Sequence, residues 1–321
     1  MRTIWLQTRM FLLVAALFAL IYAFLVLIAD LTGYGTPIVF AVLAFVIVAF
    51  QFLIGPKIVE WSMKIKYVDE MEAPKLHQMI DRLARDAGIP KPRVGISQVG
   101  IPNAFAFGRS KRNARVCVTV PLMKMLDDAE LEAVLGHEIS HIKHRDVVVI
   151  TALSVIPMIA YFIFQSFFFS SMFGRRDRNM GATIAIAALA FVVYFISNLL
   201  VLYASRIREY YADQGSVELT GKPHELASAL YKMIYGSTRV KPEDLKALEG
   251  MRAFFATDPG RAKKDTIDLM AADLNRDGKI DPYELQQFAD STGSISTFEH
   301  FMELFSTHPN PVKRIKRLGR L

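Results

Sequence analysis

The chain has 321 residues, of which 52% are apolar types and only 21% are charged, and its mean hydropathy is +0.28. Ordinary soluble domains carry about 25% charged residues, so this composition excludes an intrinsically disordered chain and a purely cytosolic one. A single cysteine, Cys117, excludes a disulfide-stapled scaffold. The net charge of +7 fits contact with an anionic membrane surface, and without a nucleic-acid-binding motif we expect no nucleic acid partner.

Four uncharged apolar runs are each long enough to cross the hydrocarbon core of a bilayer, which takes about 20 residues. They lie at 10–29, 37–55, 147–173 and 181–205. A buried core helix explains one such run, but four of them predict a multi-pass protein of a cell membrane. The first run is longer than a signal-peptide core and no small-residue cleavage site follows it, so we expect a retained anchor.

Lysine and arginine residues near the runs predict the orientation of the chain, because such residues concentrate on the cytoplasmic side. They precede the first and third runs and follow the second and fourth. This pattern places the N-terminus and both soluble parts in the cytoplasm. The loop between the last two runs disagrees, since it holds Arg175, Arg176 and Arg178. We expect a translocated basic loop; the alternative is a hairpin that does not cross fully.

The predicted fold class is an α+β integral membrane protein with four transmembrane helices and a mostly helical soluble domain that contains a small β-sheet. In chain order, we expect two membrane helices in 1–56, a first soluble part in 57–146, two membrane helices in 147–205 and a second soluble part in 206–321. Within the first soluble part, the sequence predicts an amphipathic helix over 73–88 and strands at 93–99, 104–107 and 116–120.

The first soluble part ends with an H-E-x-x-H motif formed by His137, Glu138 and His141. Asp127 and Glu130 have the spacing of a helix N-cap and its partner, which predicts that the motif lies on a helix. Histidines four residues apart then share one helical face. In this arrangement two histidines bind zinc and the glutamate polarises a metal-bound water. The alternative is a helix that carries surface histidines.

A catalytic zinc ion usually has three protein ligands and one position for water, so one more ligand is needed. The fourth apolar run continues without a helix breaker into 206–215, where Glu209 and Asp213 lie four residues apart. We expect Glu209 to be the third ligand and Asp213 to accept a hydrogen bond from a ligand histidine. An exposed, charged helix end is the alternative. Both helices are predicted to leave the membrane on the same side, so these residues can meet above its surface.

A stretch of the second soluble part, DLNRDGKIDPYE at 273–284, matches a twelve-residue EF-hand loop. Gly278 has the place of the sharp turn, and Ile280 has the place of the apolar residue. The expected ligands of one Ca²⁺ ion are Asp273, Asn275, Asp277, Lys279 through its backbone carbonyl, Asp281 and Glu284. A polar turn between two helices is the alternative.

This EF-hand-like insertion, at about 261–292, has three conceivable uses: to stabilise a loop, to sense calcium and gate the active site, or to dock a partner. It lies between Glu209 and His308 in the sequence. This position favours stabilisation or gating by bound calcium.

Four stretches together resemble the HtpX family of membrane zinc metallopeptidases, which is related to the CAAX prenyl proteases. They are PNAFAFG at 102–108, HEISH at 137–141, SRIREYYAD at 205–213 and STHPNPVKRI at 306–315. The order of the motifs and of the apolar runs also matches the family, except over about 240–300. The resemblance implies a gluzincin-type fold, with zinc on the two motif histidines and Glu209, and with Glu138 as the general base.

The resemblance also implies roles that the pattern alone leaves open. Residues 103–107 correspond to an edge strand on which an extended substrate lies by β-augmentation, although an ordinary core strand is the alternative. The expected substrate-binding residues are Asn103, Ala104, Phe105 and Ala106. His308 corresponds to a histidine near the reaction centre that stabilises the oxyanion. Arg314 follows shortly after it and is expected to support the ligand residues.

We therefore expect a zinc endopeptidase that cleaves misfolded or damaged membrane proteins under stress. Its partners would be polypeptide substrates and the lipid bilayer, and the sequence predicts no oligomeric state. A site-specific processing peptidase is the narrower alternative, which the small number of spans disfavours. A calcium-binding membrane scaffold with a vestigial protease site is disfavoured by the intact motif. A transporter is least favoured because no span holds an ionisable residue.

Overall fold

The structure is a computed structural model that describes residues 8–9, 12–13, 15–17, 19–24, 27, 36–173, 180–238, 269–291 and 297–321. These residues are mostly helical and include one small β-sheet, as the sequence predicts. They fall into two compact units. One unit contains residues of 1–55 and 148–207, and the other contains residues of 56–147 and 208–321.

The main helices and strands follow one another along the chain. They are α1 (Thr36–Ser62), β1 (Ile65–Tyr67), α2 (Pro74–Asp86), β2 (Arg93–Ser97), β3 (Ala104–Gly108), β4 (Ala114–Thr119), α3 (Val120–Met125), α4 (Asp128–His144), α5 (Asp146–Phe173), α6 (Met180–Thr220), α7 (Pro223–Ser237), α8 (Pro282–Asp290), α9 (Thr297–Glu303) and α10 (Pro311–Leu318).

Among the described residues, three helices are long and apolar enough to cross a membrane. They are α1, α5 and α6, which contain the last three of the predicted runs. A shorter apolar helix, Ala15–Phe24, lies in the first run, of which only some residues are described. The loop that holds Arg175, Arg176 and Arg178 lies outside the described residues. Four spans therefore stay a prediction.

The unit that contains residues of 1–55 and 148–207 has an apolar core and an apolar surface. Leu17, Ile163 and Ala190 are completely buried in its core. Other large apolar side chains of the same unit, such as Phe45 and Phe191, are exposed. Large exposed apolar surfaces mark contact with a membrane or another protein, so this unit has the surface of a lipid-embedded bundle.

The sheet of the other unit has the strand order β1-β2-β4-β3. Strands β2 and β4 are parallel, whereas the other two pairs are antiparallel. In the described part of the chain β3 is therefore an edge strand. Cys117 on β4 lies opposite Phe105 on β3 and is fully buried, so it is a small side chain of the core. The predicted strands are present with shifted ends, and β1 was not predicted.

Helix α4 is fixed at both ends by its own sequence. The Asp127 carboxylate accepts hydrogen bonds from the backbone of Ala129 and Glu130, and the Glu130 carboxylate accepts one from the backbone of Asp127. This is the capping box that the spacing predicts. The helix ends at Arg145, whose φ of 58° is left-handed, so the chain turns there before α5 begins.

The core of this unit surrounds α4. Leu135 and Ile139 of α4 are fully buried against side chains of α2, the sheet and α7. The C-terminal helices α8 and α10 pack on each other and on α7. Their residues Leu285 and Ile315 belong to the same apolar core. The helix that carries the H-E-x-x-H motif is therefore held by elements from the whole length of the unit.

Candidate metal centre

Three side chains from two helices converge on one point. His137 and His141 lie one turn apart on α4, and their Nε2 atoms are 3.1 Å apart. A carboxylate oxygen of Glu209 on α6 lies 3.6 Å from Nε2 of His137, and the other lies 3.4 Å from Nε2 of His141. One ligand atom from each residue fits within a mutual distance of 4.8 Å. The structure thus brings together the three residues that the sequence suggested as metal ligands.

The other nitrogen of each histidine faces a carboxylate. Nδ1 of His137 lies 3.0 Å from Oδ1 of Asp213, and Nδ1 of His141 lies 2.6 Å from Oδ2 of Asp146. A carboxylate accepts the Nδ1 proton, so the lone pair of a neutral imidazole is then on Nε2. Asp213 was expected from the sequence. Asp146 was missed, although a carboxylate follows the second histidine by only five residues.

The chemistry of the converging groups tests whether a zinc ion fits this centre. Two Nε2 lone pairs and the Glu209 carboxylate would repel one another at these distances unless a cation lay between them. Two imidazole nitrogens and one carboxylate oxygen are also the ligand types of catalytic zinc sites, which keep a further position for water. The residues present therefore fit zinc.

Glu138 lies next to the two histidines and is almost completely buried. Burial raises the pKa of its carboxyl group, although the neighbouring His141 and His137 act in the opposite direction. A hydrogen bond from the backbone of Ala106 also reaches this carboxylate. Edge strand β3 and Glu138 are therefore direct neighbours. A carboxylate with a raised pKa is suited to accept a proton near neutral pH.

His308 and Arg314 reach the same centre from the C-terminal part of the chain. Nδ1 of His308 lies 3.3 Å from Oε2 of Glu209, and Nη1 of Arg314 lies 3.2 Å from the same oxygen. Arg314 also donates two hydrogen bonds to Asp213, from Nε at 3.0 Å and from Nη2 at 2.6 Å. Its guanidinium is buried, so it offsets the negative charge of two buried carboxylates.

The stretch expected to bind substrate lies along β3. Asn103 precedes the strand, and its backbone N–H donates to Oγ1 of Thr119 at 2.9 Å. The side chains of Asn103, Ala104 and Phe105 are buried, whereas Ala106 is partly exposed. Contacts from this stretch to a substrate would therefore be made mainly by the backbone.

The loop expected to bind calcium, residues 273–284, folds around the carboxylates of its first and last residues. Asp273 accepts hydrogen bonds from the backbone of Asp277 and Gly278, and Gly278 has a φ of 84°. Glu284 accepts hydrogen bonds from the backbone of Leu274 and Asn275. The remaining expected ligands are exposed or partly exposed: Asn275, Asp277, Lys279 and Asp281. Residues 261–268 and 292 of the expected insertion lie outside the described residues.

Comparison with known proteins identifies the family. The family model for peptidase family M48 matches residues 70–321. The chain is 52% identical over 249 residues to a protease HtpX homolog of Methanothermobacter thermautotrophicus, a match that covers 77% of this chain and 93% of the relative. It is 38% identical over 322 residues to protease HtpX homolog 2 of Methanosarcina mazei, which covers 100% of this chain and 96% of the relative.

A solved structure is similar in fold. The crystal structure of S. mikatae Ste24p has a TM-score of 0.55 and 17% sequence identity, over 99% of this chain and 67% of that chain. At this identity the likeness concerns the fold alone. The family match and the two relatives confirm the resemblance that the motifs suggested. The chain therefore belongs to peptidase family M48, and it is a membrane zinc metalloprotease.

Proposed function

We propose that the protein is an endopeptidase in which His137, His141 and Glu209 bind the catalytic zinc ion and Glu138 is the general base. The observation that carries this proposal is the convergence of the two Nε2 atoms and the Glu209 carboxylate, with Nδ1 of each histidine held by a carboxylate. Zinc bound there would lower the pKa of a water molecule and polarise the scissile carbonyl.

The side chains around the metal ligands have separate roles in the reaction. Glu138 accepts a proton from the attacking water and returns it to the leaving amine, and its burial supports this exchange. His308 donates to the oxyanion that develops on the scissile carbonyl, since it lies beside Glu209. Asp213 orients His137, and Arg314 holds both Asp213 and Glu209 in place.

Substrates bind in an extended conformation along β3. The edge position of this strand and the hydrogen bond from the backbone of Ala106 to Glu138 support this arrangement. Backbone pairing accepts many sequences, which suits a protease with broad specificity. The backbone of Asn103, Ala104, Phe105 and Ala106 supplies these contacts. We infer that the substrates are misfolded or damaged membrane proteins and that the enzyme serves quality control under stress.

The chain crosses the membrane four times, with both soluble parts in the cytoplasm. Three described helices of membrane-spanning length and the positive residues next to the apolar runs support this topology. A cytoplasmic active site gives access to the ends of damaged membrane proteins that lie in the cytoplasm.

Proteolysis by the purified protein tests the function. The protein is purified in detergent with a chelator, and zinc is then added to wild type and to Glu138→Gln. We expect wild type to cleave unfolded casein and itself only with zinc, and Glu138→Gln to bind zinc but cleave neither. Cleavage at a single bond of one substrate would favour the processing peptidase. Folded, zinc-loaded wild type that cleaves nothing would contradict the proposal and favour a scaffold.

We also propose that residues 273–284 bind one Ca²⁺ ion, which stabilises the active site. The EF-hand spacing of the oxygen ligands supports this binding. The loop also contacts the helix of the metal centre, because Nζ of Lys279 lies 2.5 Å from Oδ2 of Asp127, the N-cap of α4. Ile280 of the loop is buried in the core that surrounds α4, and α8 packs against α10, which carries Arg314.

Calcium titration of wild type, Glu284→Gln and Asp290→Asn tests this second proposal. Asp290 is an exposed carboxylate of α8 outside the loop and serves as the matched control. Calcium at about 100 times its dissociation constant stabilises a protein by about 2.7 kcal/mol, so we expect higher melting temperatures for wild type and the control. No calcium-dependent rise, or an equal rise in Glu284→Gln, would exclude a specific site. A change of turnover at a temperature where the protein stays folded would indicate gating.

A further inference from the structure

We infer that Asp146 and Arg208 are positioning residues for the metal centre, which orient His141 and thereby raise the affinity for zinc. This inference rests on the proposed function of His141 as a ligand. It concerns the junction where α4 ends and α5 begins, which contributes no ligand of its own.

Asp146 lies close to His141 because α4 ends between them. Arg145 has a left-handed backbone conformation that ends α4, and Asp146 is the next residue and the first of α5. The Asp146 carboxylate is buried and lies 2.6 Å from Nδ1 of His141. A short contact to an ionised acceptor is among the stronger hydrogen bonds in proteins. It fixes both the rotation of the ring and the position of its proton.

Arg208 pairs with the other oxygen of this carboxylate. Its guanidinium forms an ion pair with Oδ1 of Asp146 and donates a hydrogen bond to the backbone oxygen of His144 at 2.9 Å. It also lies 5.5 Å from the ring centre of Tyr211. Arg208 directly precedes Glu209 in α6. One arginine therefore links the end of α4, the start of α5 and the segment that carries the third ligand.

The two ligand histidines have the same series of contacts, from histidine to carboxylate to arginine. His137 contacts Asp213, which pairs with Arg314, and His141 contacts Asp146, which pairs with Arg208. In each series a buried carboxylate faces Nδ1 of a ligand histidine and an arginine pairs with that carboxylate. An ionised partner makes Nε2 a stronger donor to a metal than a neutral partner would. The repetition indicates that Asp146 has the function for His141 that Asp213 has for His137.

Substitutions of Asp146 and Arg208 test the inference through zinc binding itself. Asp146→Asn keeps the size of the side chain and removes its charge, and Arg208→Lys keeps a positive charge with fewer donors. Glu132→Gln is the matched control, because Glu132 also lies on α4 and pairs with Arg82 away from the histidines. The dissociation constant for zinc is measured by competition with a chromophoric chelator. The melting temperature of the zinc-free protein and kcat and KM with saturating zinc are measured on the same samples.

We expect Asp146→Asn to weaken zinc binding by about 10–100-fold, as typical for partners of ligand histidines, and Arg208→Lys to weaken it less. At saturating zinc, kcat should fall while KM stays unchanged. The Glu132→Gln control should bind zinc like wild type. An Asp146→Asn protein whose zinc affinity is within twofold of wild type would overturn the inference. Failure of the proposed function looks different, because His141→Ala would then bind zinc as tightly as wild type.

Discussion

Replacement of Arg314 by alanine should strongly destabilise the protein when zinc is absent. The guanidinium is 2% exposed and contacts the carboxylates of Asp213 and Glu209. Alanine leaves both carboxylates buried without their cation, and removal of one partner from a buried ion pair costs about 3–5 kcal/mol. For a domain of about 200 residues each kcal/mol lowers Tm by roughly 2–4 °C, so the expected loss is roughly 6–20 °C.

Arg82 provides the matched control for this experiment. It forms an ion pair with Glu132, but its side chain is 55% exposed. Exposed ion pairs contribute about 0–1 kcal/mol, so Arg82→Ala should change Tm by at most a few degrees. The two variants lose the same charge and the same side chain, one from a buried site with two carboxylates and the other from an exposed site with one.

Thermal unfolding in detergent, followed by circular dichroism with and without zinc, measures the effect. Zinc bound by Glu209 would offset part of the negative charge that Arg314 offsets, so zinc should raise Tm more in Arg314→Ala than in wild type, if the variant still binds it. An Arg314→Ala protein that loses no more stability than Arg82→Ala would refute the assigned role of the buried cation. So would an Arg314→Met variant that is more stable than wild type.

Three further predictions concern other parts of the unit that contains residues of 56–147 and 208–321. Burial raises the pKa of the Cys117 thiol, so iodoacetamide at pH 8 should label it only after unfolding, which mass spectrometry detects; rapid labelling of the native protein would contradict its position in the sheet. Asp127→Ala removes the N-cap of α4 and should cost about 1 kcal/mol in thermal or denaturant unfolding, since caps contribute about 0.5–2 kcal/mol; an unchanged midpoint would show that the cap does not hold the helix. Gly215→Val should weaken zinc binding, because a side chain at this place in α6 would overlap Ser140 of α4 and separate the helices that carry the ligands. Competition with a chelator measures this loss of affinity. A variant that binds zinc like wild type would show that α4 and α6 need not approach so closely.

Local patterns predicted the parts of the protein that depend on local chemistry. The spacing of Asp127 and Glu130 predicted the start of α4, and the spacing of the two motif histidines predicted their common face. The breaker-free continuation of the fourth apolar run predicted a helix that reaches Glu209, and α6 is continuous over this range. Each of these features follows from residues within a few turns of one another.

Features that depend on neighbours distant in sequence could not be predicted in this way. The expected strand over 116–120 ends at Thr119, because its side chain accepts a hydrogen bond from the backbone of Leu122 and starts α3. Strand β1 has only three residues and is defined by its pairing with β2. The contact between Asp146 and Arg208 likewise exists only after the helices have packed.

The long chain segment between the two halves of the metal centre has a consequence for biosynthesis. His137, His141 and Asp146 are translated together, but Glu209 follows later and Arg314 much later. At roughly 5–20 residues per second, the ribosome needs about 9–35 s to proceed from the histidines to Arg314. Until then the carboxylates of Glu209 and Asp213 lack the cation that offsets their burial. A nascent chain therefore cannot form all the contacts of this centre until nearly the whole sequence has been translated.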